Sequence, residues 1–433
     1  MRLHQQSIAV CVDESPRLLM TFAPNCGCTL WPAMAVRWPS YSITPFRIPL
    51  MAIQIVEAIT PGQRREFIHF QWAIYRDDPN WVPPLLSERE AFYDKKRNLF
   101  FKHSDAALFL AYRDETLVGT IAAIHNTRHN TKWNDKVGFF GAFECRNDDE
   151  AARALFAAAE QWIAARGLNV LRGPATLSLN DECGLLIDGF DSAPVLMMTY
   201  NPPYYADLIE RQGFAKSMDL LAWWVSMEQG GKAVADRFGR VAQMAQKRGK
   251  FTVRHVDLKR IDKEFEHIKG VLYSGPWEQN WGHVTPTDEE MSHLVHNLKQ
   301  IADQDLVLIA ELDGKAIGVA ASIPDVNEAL RKAYPKPGTP EILTLLKFLW
   351  HKRKINTVRF LVLGVDAQHR MAGIDAALTV KTYEIMLSKG YVGAECSWIL
   401  ESNDAMNRII ELGGGRIYRR YRIYDRPAGG GNA

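Results

Sequence analysis

Residues able to do chemistry concentrate in a few stretches of the chain. The first is GVDAQHRMAGIDAALTVKTYEIMLSKG, from Gly364 to Gly390, where Arg370, Met371, Ala372 and Gly373 form a basic, glycine-ended turn ahead of a helix-patterned segment starting at Ile374. A helix opening at such a turn points unpaired N–H groups and the positive end of its dipole outward, so a pyrophosphate can settle there. Asp375 places a carboxylate in the same turn. The second is RGPATLSLNDECGLLIDGFDSAP, from Arg172 to Pro194, crowded with Ser178, Asn180, Asp181, Glu182 and Cys183. Loops this rich in donors and acceptors often line a site, and the same letters fit a hydrogen-bonded Ω-type loop closing a sheet edge. No histidine stands beside Cys183 in sequence to make it a thiolate nucleophile. The third is YSGPWEQNWGHVTPTDEE, from Tyr273 to Glu290, in which Trp277 and Trp281 stand on either side of Glu278 and Asn280. Aromatic rings beside a carboxylate suit an amine or an acyl chain, and they suit equally a loop pinned to the core. Asn180, Glu182, Cys183, Trp277, Glu278 and Trp281 are therefore the candidate substrate contacts.

These residues need elements to hold them. The run VRFLVLGV, Val358 to Val365, is apolar, β-branched and free of proline, which predicts a buried strand leading into the basic turn. Beyond the turn Ile374, Leu378 and Ile385 recur on one helical face. Upstream, VLIAELDGKAIGVAASI, Val307 to Ile323, reads as a hairpin, and LFLAYRDETLVGTIAAI, Leu108 to Ile124, reads as the same hairpin in the first half. Ala111 and Gly119 are spaced as Ala310 and Gly318 are; Gly141, Leu155 and Gly167 are spaced as Gly364, Leu378 and Gly390 are. Asn201 precedes a helix reaching Gly213, as Asn403 precedes one reaching Gly413. We read a tandem repeat, residues 52–228 and 231–426, joined near Gly230. Where the second copy has Arg370, the first opens its helix with Asn147, Asp148, Asp149 and Glu150, whose three carboxylates answer the dipole and repel an anion. The anion site is expected in the second copy alone.

The order strand, Arg-x-x-Gly, helix, strand and Asn403 resembles the acyl-CoA-binding core of the GNAT acyltransferase superfamily. Arg370 and Gly373 match that family's turn, and Asp375 departs from its second small residue. The resemblance implies an α+β fold of two tandem GNAT-like domains, each a mixed, mostly antiparallel sheet flanked by helices. It implies acyl-CoA as donor, held by Leu363, Val365, Arg370, Met371, Ala372, Gly373, Ile374 and Asn403. Direct transfer to an amine needs a base and often an acid for the leaving thiolate. The resemblance makes Glu395 and Glu401 candidates for the base; Ile409 stands where the family's tyrosine acid usually does, leaving Tyr418 or Tyr421 nearby. The detailed pattern, with PNWVPPLL near Trp81, NDECGLL, YNPPYY, WEQNW and the ending YRIYDR, is similar to a bacterial family of tandem GNAT-like proteins, some linked to ceramide formation. It implies an acyl-CoA-dependent N-acyltransferase with a long-chain, sphingoid-type amine as acceptor. Acetyl transfer to a small-molecule or peptide amine, and a non-catalytic binding or scaffold role, stay open.

The whole chain bounds these readings. It has 433 residues, 47% hydrophobic and 24% charged, with a net charge of +2. That length allows more than one core, and the balance gives no support for general nucleic-acid binding. No run is apolar for long enough to span a membrane, and the default location is cytoplasmic. The six cysteines are too sparse for a disulfide framework, and Cys26 and Cys28 lack a second ligand pair, so no metal is expected. Residues 1–50, rich in proline and poor in acids, are expected to be unstructured and to derive from an upstream start codon. The tail from Pro427 is expected to be flexible. The stretch EILTLLKFLWHKRK, from Glu341, fits an interfacial helix meeting a membrane or a core helix with a basic last turn.

Overall fold

The computed structural model describes residues 52–273 and 280–429, and the expectations for residues 1–50 lie outside them. Thirteen strands form one mixed sheet: β1 (Gln54–Glu57), β2 (Asp105–Arg113), β3 (Thr116–His125), β4 (Val137–Cys145), β5 (Val170–Gly173), β6 (Leu185–Asp188), β7 (Ala215–Ser226), β8 (Thr252–His255), β9 (Val307–Leu312), β10 (Lys315–Pro324), β11 (Thr357–Val365), β12 (Gly393–Leu400) and β13 (Arg416–Pro427). Helices pack on its faces, giving the α+β architecture of two tandem GNAT-like units that the sequence implies.

The repeated spacings have one physical cause. In the hairpin β2–β3 Ala111 pairs with Gly119, and in β9–β10 Ala310 pairs with Gly318. A side chain on Gly119 would lie 2.7 Å from Leu155, and one on Gly318 would lie 2.7 Å from Ile374 and 3.1 Å from Leu378. Each glycine lets the helix carrying that leucine, Asp149–Ala164 or Ile374–Ser388, settle onto the sheet. Leu155 and Leu378 are fully buried at the centres of two separate cores. The period of the sequence records how closely helix and sheet approach.

The order β1-β2-β3-β4-β5-β13-β7-β12-β11-β10-β9-β8 carries a feature that the linear repeat hides. The last strand of the second half, β13, lies beside β5 of the first, while β7 of the first half lies beside β12 of the second. Each half's final strand thus completes the other half's sheet. Opposed charges clasp the exchange: Arg172 meets Asp425 at 2.7 Å across β5–β13, and Arg422 meets Asp219 at 2.8 Å across β7–β13. The chain expected to be flexible from Pro427 begins as the last residue of β13, and Ala428 N–H still donates to Asn169.

In both halves a parallel strand pair opens into a wedge. β4 and β5 pair only from Val137 to Phe139, although β4 runs on to Cys145. β11 and β12 pair only from Thr357 to Phe360, although β11 runs on to Val365. Past those points the facing strand edges need other partners.

Candidate functional site

The second-half wedge opens into a cavity of about 450 Å³. Its walls are Leu361 and Leu363 of β11, Phe238 of helix Met227–Gly249, Tyr383 and Met386 of helix Ile374–Ser388, Met291 and Leu294 of helix Asp288–Lys299, and Ile409 and Ile410 of helix Asp404–Leu412. Those contacts are almost all carbon, so the cavity suits an acyl chain and a slender linker. The loop crowded with donors also reaches it, through Leu179, Asn180 and Cys183, and Trp281 closes the same side.

The basic turn stands at the start of helix Ile374–Ser388. Gly373 is its N-cap at φ +74°, a left-handed conformation costly for other residues, and no side chain caps the helix. A side chain on Gly373 would come within 2.8 Å of Ala245. Ile374 is buried beneath the helix, while Met371 is fully exposed. The first-half counterpart differs as its letters imply: Asp148 caps helix Asp149–Ala164, accepting the N–H groups of Glu150 and Ala151, and pairs with Arg113 at 3.0 Å.

Beneath the cavity lies a buried charge pair. Arg359 of β11 lines the cavity, with its Nε 3.8 Å from the carboxylate of Glu395 on β12. Glu395 is fully buried, and burial pushes its carboxyl up against the opposing influence of Arg359, Ser397 and Tyr418. Arg359 also donates to the carbonyls of Leu196 and Ser397.

A second, polar pocket of about 220 Å³ lies in the first half. Glu144 of β4 is at its floor, accepting from Tyr205 at 2.8 Å, Tyr75 at 3.0 Å and Gln71 at 3.1 Å. Burial pushes its carboxyl up to about 7, with those donors pulling the other way. Arg89 and Glu182 pair across it at 2.7 Å. Cys183 and Met197 line both pockets, so one thin wall separates them.

The residues expected from sequence scatter among these places. Leu363, Asn403, Asn180, Cys183 and Trp281 line the apolar cavity, and Val365 lies beyond it in the core. Asn403 also caps its helix by accepting from Met406 N–H, and Asn180 clasps the backbone of Val284. Arg370, Met371 and Ala372 stay at the exposed turn. Glu182 lies in the polar pocket, paired to Arg89. Glu401 accepts from Asp219 N–H and Lys216, away from both pockets. Tyr421 is fully buried beside Arg419, which lies 3.5 Å from its hydroxyl, and burial pushes its phenol up to about 12. Trp277 and Glu278 lie outside the described residues. Burial raises the Cys183 thiol, which makes a thiolate there unfavourable. Sequence reasoning missed Arg359 and Glu144, yet both were visible as lone charges inside apolar strands, TVRFLVLGV and VGFFGAFEC.

Among the described residues no cluster of three or more His, Cys, Asp or Glu is arranged to hold a metal, and no helix is long and apolar enough to cross a membrane. The helix Glu341–Lys352 is no core helix: Ile342, Leu346 and Trp350 are each more than half exposed.

No protein-family model matches the chain. It is 33% identical over 400 residues to bacterial ceramide synthase of Caulobacter vibrioides, covering 88% of this chain and 99% of that protein. It is 33% identical over 368 residues to protein YghO of Escherichia coli, covering 84% and 92%. Among solved structures a tandem GNAT protein from the clavulanic acid biosynthesis pathway superposes over 88% of this chain and all of its own, with a TM-score of 0.51 at 12% identity, a likeness of fold.

Proposed function

The chain belongs to the tandem GNAT family that includes bacterial ceramide synthase and YghO, and from that premise we propose that it is an acyl-CoA-dependent N-acyltransferase with a long-chain lipid amine as acceptor. We take residues 52–228 and 231–426 as the two copies of its repeat. The observation that carries the reading is the pairing of an apolar cavity with an uncapped helix start in the second half. Pyrophosphate would rest on the N–H groups after Gly373 with Arg370 beside it, pantetheine along the free edge of β11 near Leu363, and the acyl chain in the cavity. An acetyl group would leave most of that volume unfilled.

In the reaction the amine attacks the thioester carbonyl, so a C–N bond forms as the C–S bond breaks. The acceptor ammonium first gives one proton to a base; after attack the nitrogen loses a second, and the thiolate leaves as a thiol. Glu395 is our choice of base, because burial raises its carboxyl and Arg359, 3.8 Å away, links it to the cavity. A lipid acceptor also gives a role to the exposed helix Glu341–Lys352, whose apolar side chains stand beside Lys347, Lys352 and Lys354 and suit an anionic bilayer surface. Flotation with phosphatidylglycerol vesicles tests that contact: Ile342→Ser with Trp350→Ser should abolish it, and undiminished flotation would refute it.

The decisive experiment follows free thiol from acetyl-CoA or palmitoyl-CoA, with and without sphinganine. Release only with the long chain and the amine is the expected result. Release from acetyl-CoA with small amines would favour acetyl transfer. No release, together with no measurable CoA binding, would leave a scaffold role, to which Asp375 and Ile409 would then belong.

A further inference from the structure

Resting on the acyltransferase reading, we propose that the first-half pocket is an ammonium site that holds the head group of the amine acceptor and presents its nitrogen across the Cys183–Met197 wall to the acyl cavity.

Three independent features point there. The first is charge. Of the ionisable residues lining the pocket, Arg89 is already matched by Glu182, with one Nη on both carboxylate oxygens at 2.7 and 2.8 Å. That leaves Glu144 with hydrogen bonds from neutral donors only, so this buried carboxyl group has no cation bonded to it. An arriving ammonium would supply that charge.

The second is the shape of the walls. Tyr75, which donates to Glu144, stacks on Trp81 with ring centroids 5.0 Å apart and planes 10° from parallel. Flat aromatic faces beside a carboxylate favour an alkylammonium over a hydrated metal ion or a neutral polar group. The third is position. Cys183 and Met197 line both the pocket and the acyl cavity, and the Arg359 that lines that cavity donates to the carbonyl of Leu196, a residue lining the polar pocket. The two substrates would then meet at the Cys183–Met197 wall.

The pocket also has a mouth suited to a lipid. Glu88 is exposed at its rim, and the neighbouring Ser87 donates to Glu341, the first residue of the helix with the exposed apolar face. Trp81 meets Tyr334 on the same side. A long alkyl tail leaving the pocket would run onto that helix.

The test uses the full chain, two variants and a small probe. Glu144→Gln keeps the size and one acceptor oxygen for the two tyrosines while removing the charge; Leu330→Trp fills the rim from the second half. With palmitoyl-CoA saturating, each should raise the KM for sphinganine at least tenfold while leaving the acyl-CoA dissociation constant within twofold. Product formation with an unchanged amine KM in both variants overturns the proposal and leaves the acyltransferase reading standing. Should the wild type form no product with any donor, calorimetry with octylamine and octanol decides separately. Octylamine binding that is lost in Glu144→Gln and absent for octanol supports the ammonium site. Equal binding of amine and alcohol, no octylamine binding, or an unaffected Glu144→Gln overturns it.

Discussion

The two wedges of the sheet begin alike and end differently. Both arise where a parallel strand pair parts, and both are backed by a helix seated on a glycine through a buried leucine. The first is plugged by its own chain: Ala175 N–H donates to Phe140 at 2.8 Å, and the carbonyl of Ala175 presses against Gly141. Its helix start is capped by Asp148. Among the described residues no such segment plugs the second wedge, its helix start has a bare Gly373, and an apolar cavity fills the gap. A duplicated scaffold therefore specialises through local edits, one loop and one capping residue, while the packing that builds the wedge stays the same.

The sharpest way to break this comparison is to add one methyl group at the equivalent glycine of each wedge. In Gly141→Ala the new carbon would lie 1.8 Å from the Ala175 carbonyl oxygen, a backbone atom fixed by the plug. In Gly364→Ala the nearest atom is the flexible end of Leu272 at 3.0 Å. Urea unfolding should show a loss of about 3 kcal/mol or more for the first and under about 1 kcal/mol for the second. Equal losses would mean that the plug is not a rigid part of the fold.

A buried carboxyl group of the first half gives the next test. Glu144 has its carboxyl raised from 4.5 to about 7, so the folded state holds a proton that the unfolded chain releases at lower pH. Stability from this group is complete below pH 4.5 and declines as pH rises to about 7, by roughly 3 kcal/mol in all at about 1.4 kcal/mol per unit. Asp181 and Asp325, also raised to about 7 by burial, act in the same direction. Melting temperature measured from pH 4.5 to 8 should fall less steeply in Glu144→Gln than in the wild type; parallel curves would show that Glu144 ionises freely when folded.

The proposed donor site offers a smaller effect. Arg370→Glu should weaken palmitoyl-CoA binding about tenfold or more, roughly 1.4 kcal/mol, whereas reversing charge at the first-half helix start, Glu150→Lys, should change it less than twofold. Calorimetry on both variants checks this, and similar losses would remove the distinction between the halves.

The repeat was legible because it is written in close contacts. Gly119 with Leu155 and Gly318 with Leu378 must keep their spacing for helix and sheet to touch, and such constraints leave a periodic trace. The exchange of β7 and β13 left none, because a final strand has the same letters whichever half it completes; opposed pairs such as Arg172–Asp425 and Arg422–Asp219 hold it, and they are far apart in sequence. The polar pocket escaped for a related reason. Glu144, Arg89 and Glu182 come from three elements and converge only after the loop from Arg172 folds back. Arg370 and Gly373 were readable because a turn places them next to each other; the roles of Glu401 and Tyr421 were drawn from analogy, and both side chains point to partners outside the cavity.

The smallest expected effect concerns Asp375, the residue that departs from the family's turn. It lies in the first turn of helix Ile374–Ser388, where a carboxylate stabilises the helix through its dipole and competes with an incoming phosphate for the same field. The first half carries this substitution to completion, with Asp148, Asp149 and Glu150 around its helix start. Under the proposed donor site, Asp375 is a partial version of the acidic helix start of the first half. Asp375→Ala should cost the fold about 0.3–1 kcal/mol and tighten palmitoyl-CoA binding by a few fold, with opposite signs because one dipole serves both. Measured together by thermal unfolding and calorimetry at low ionic strength, the two changes should shrink in parallel as salt is added. Weaker acyl-CoA binding in Asp375→Ala would instead make the carboxylate a contributor to the donor site, and the contrast between the two helix starts would then rest on Gly373 and Asp148 alone.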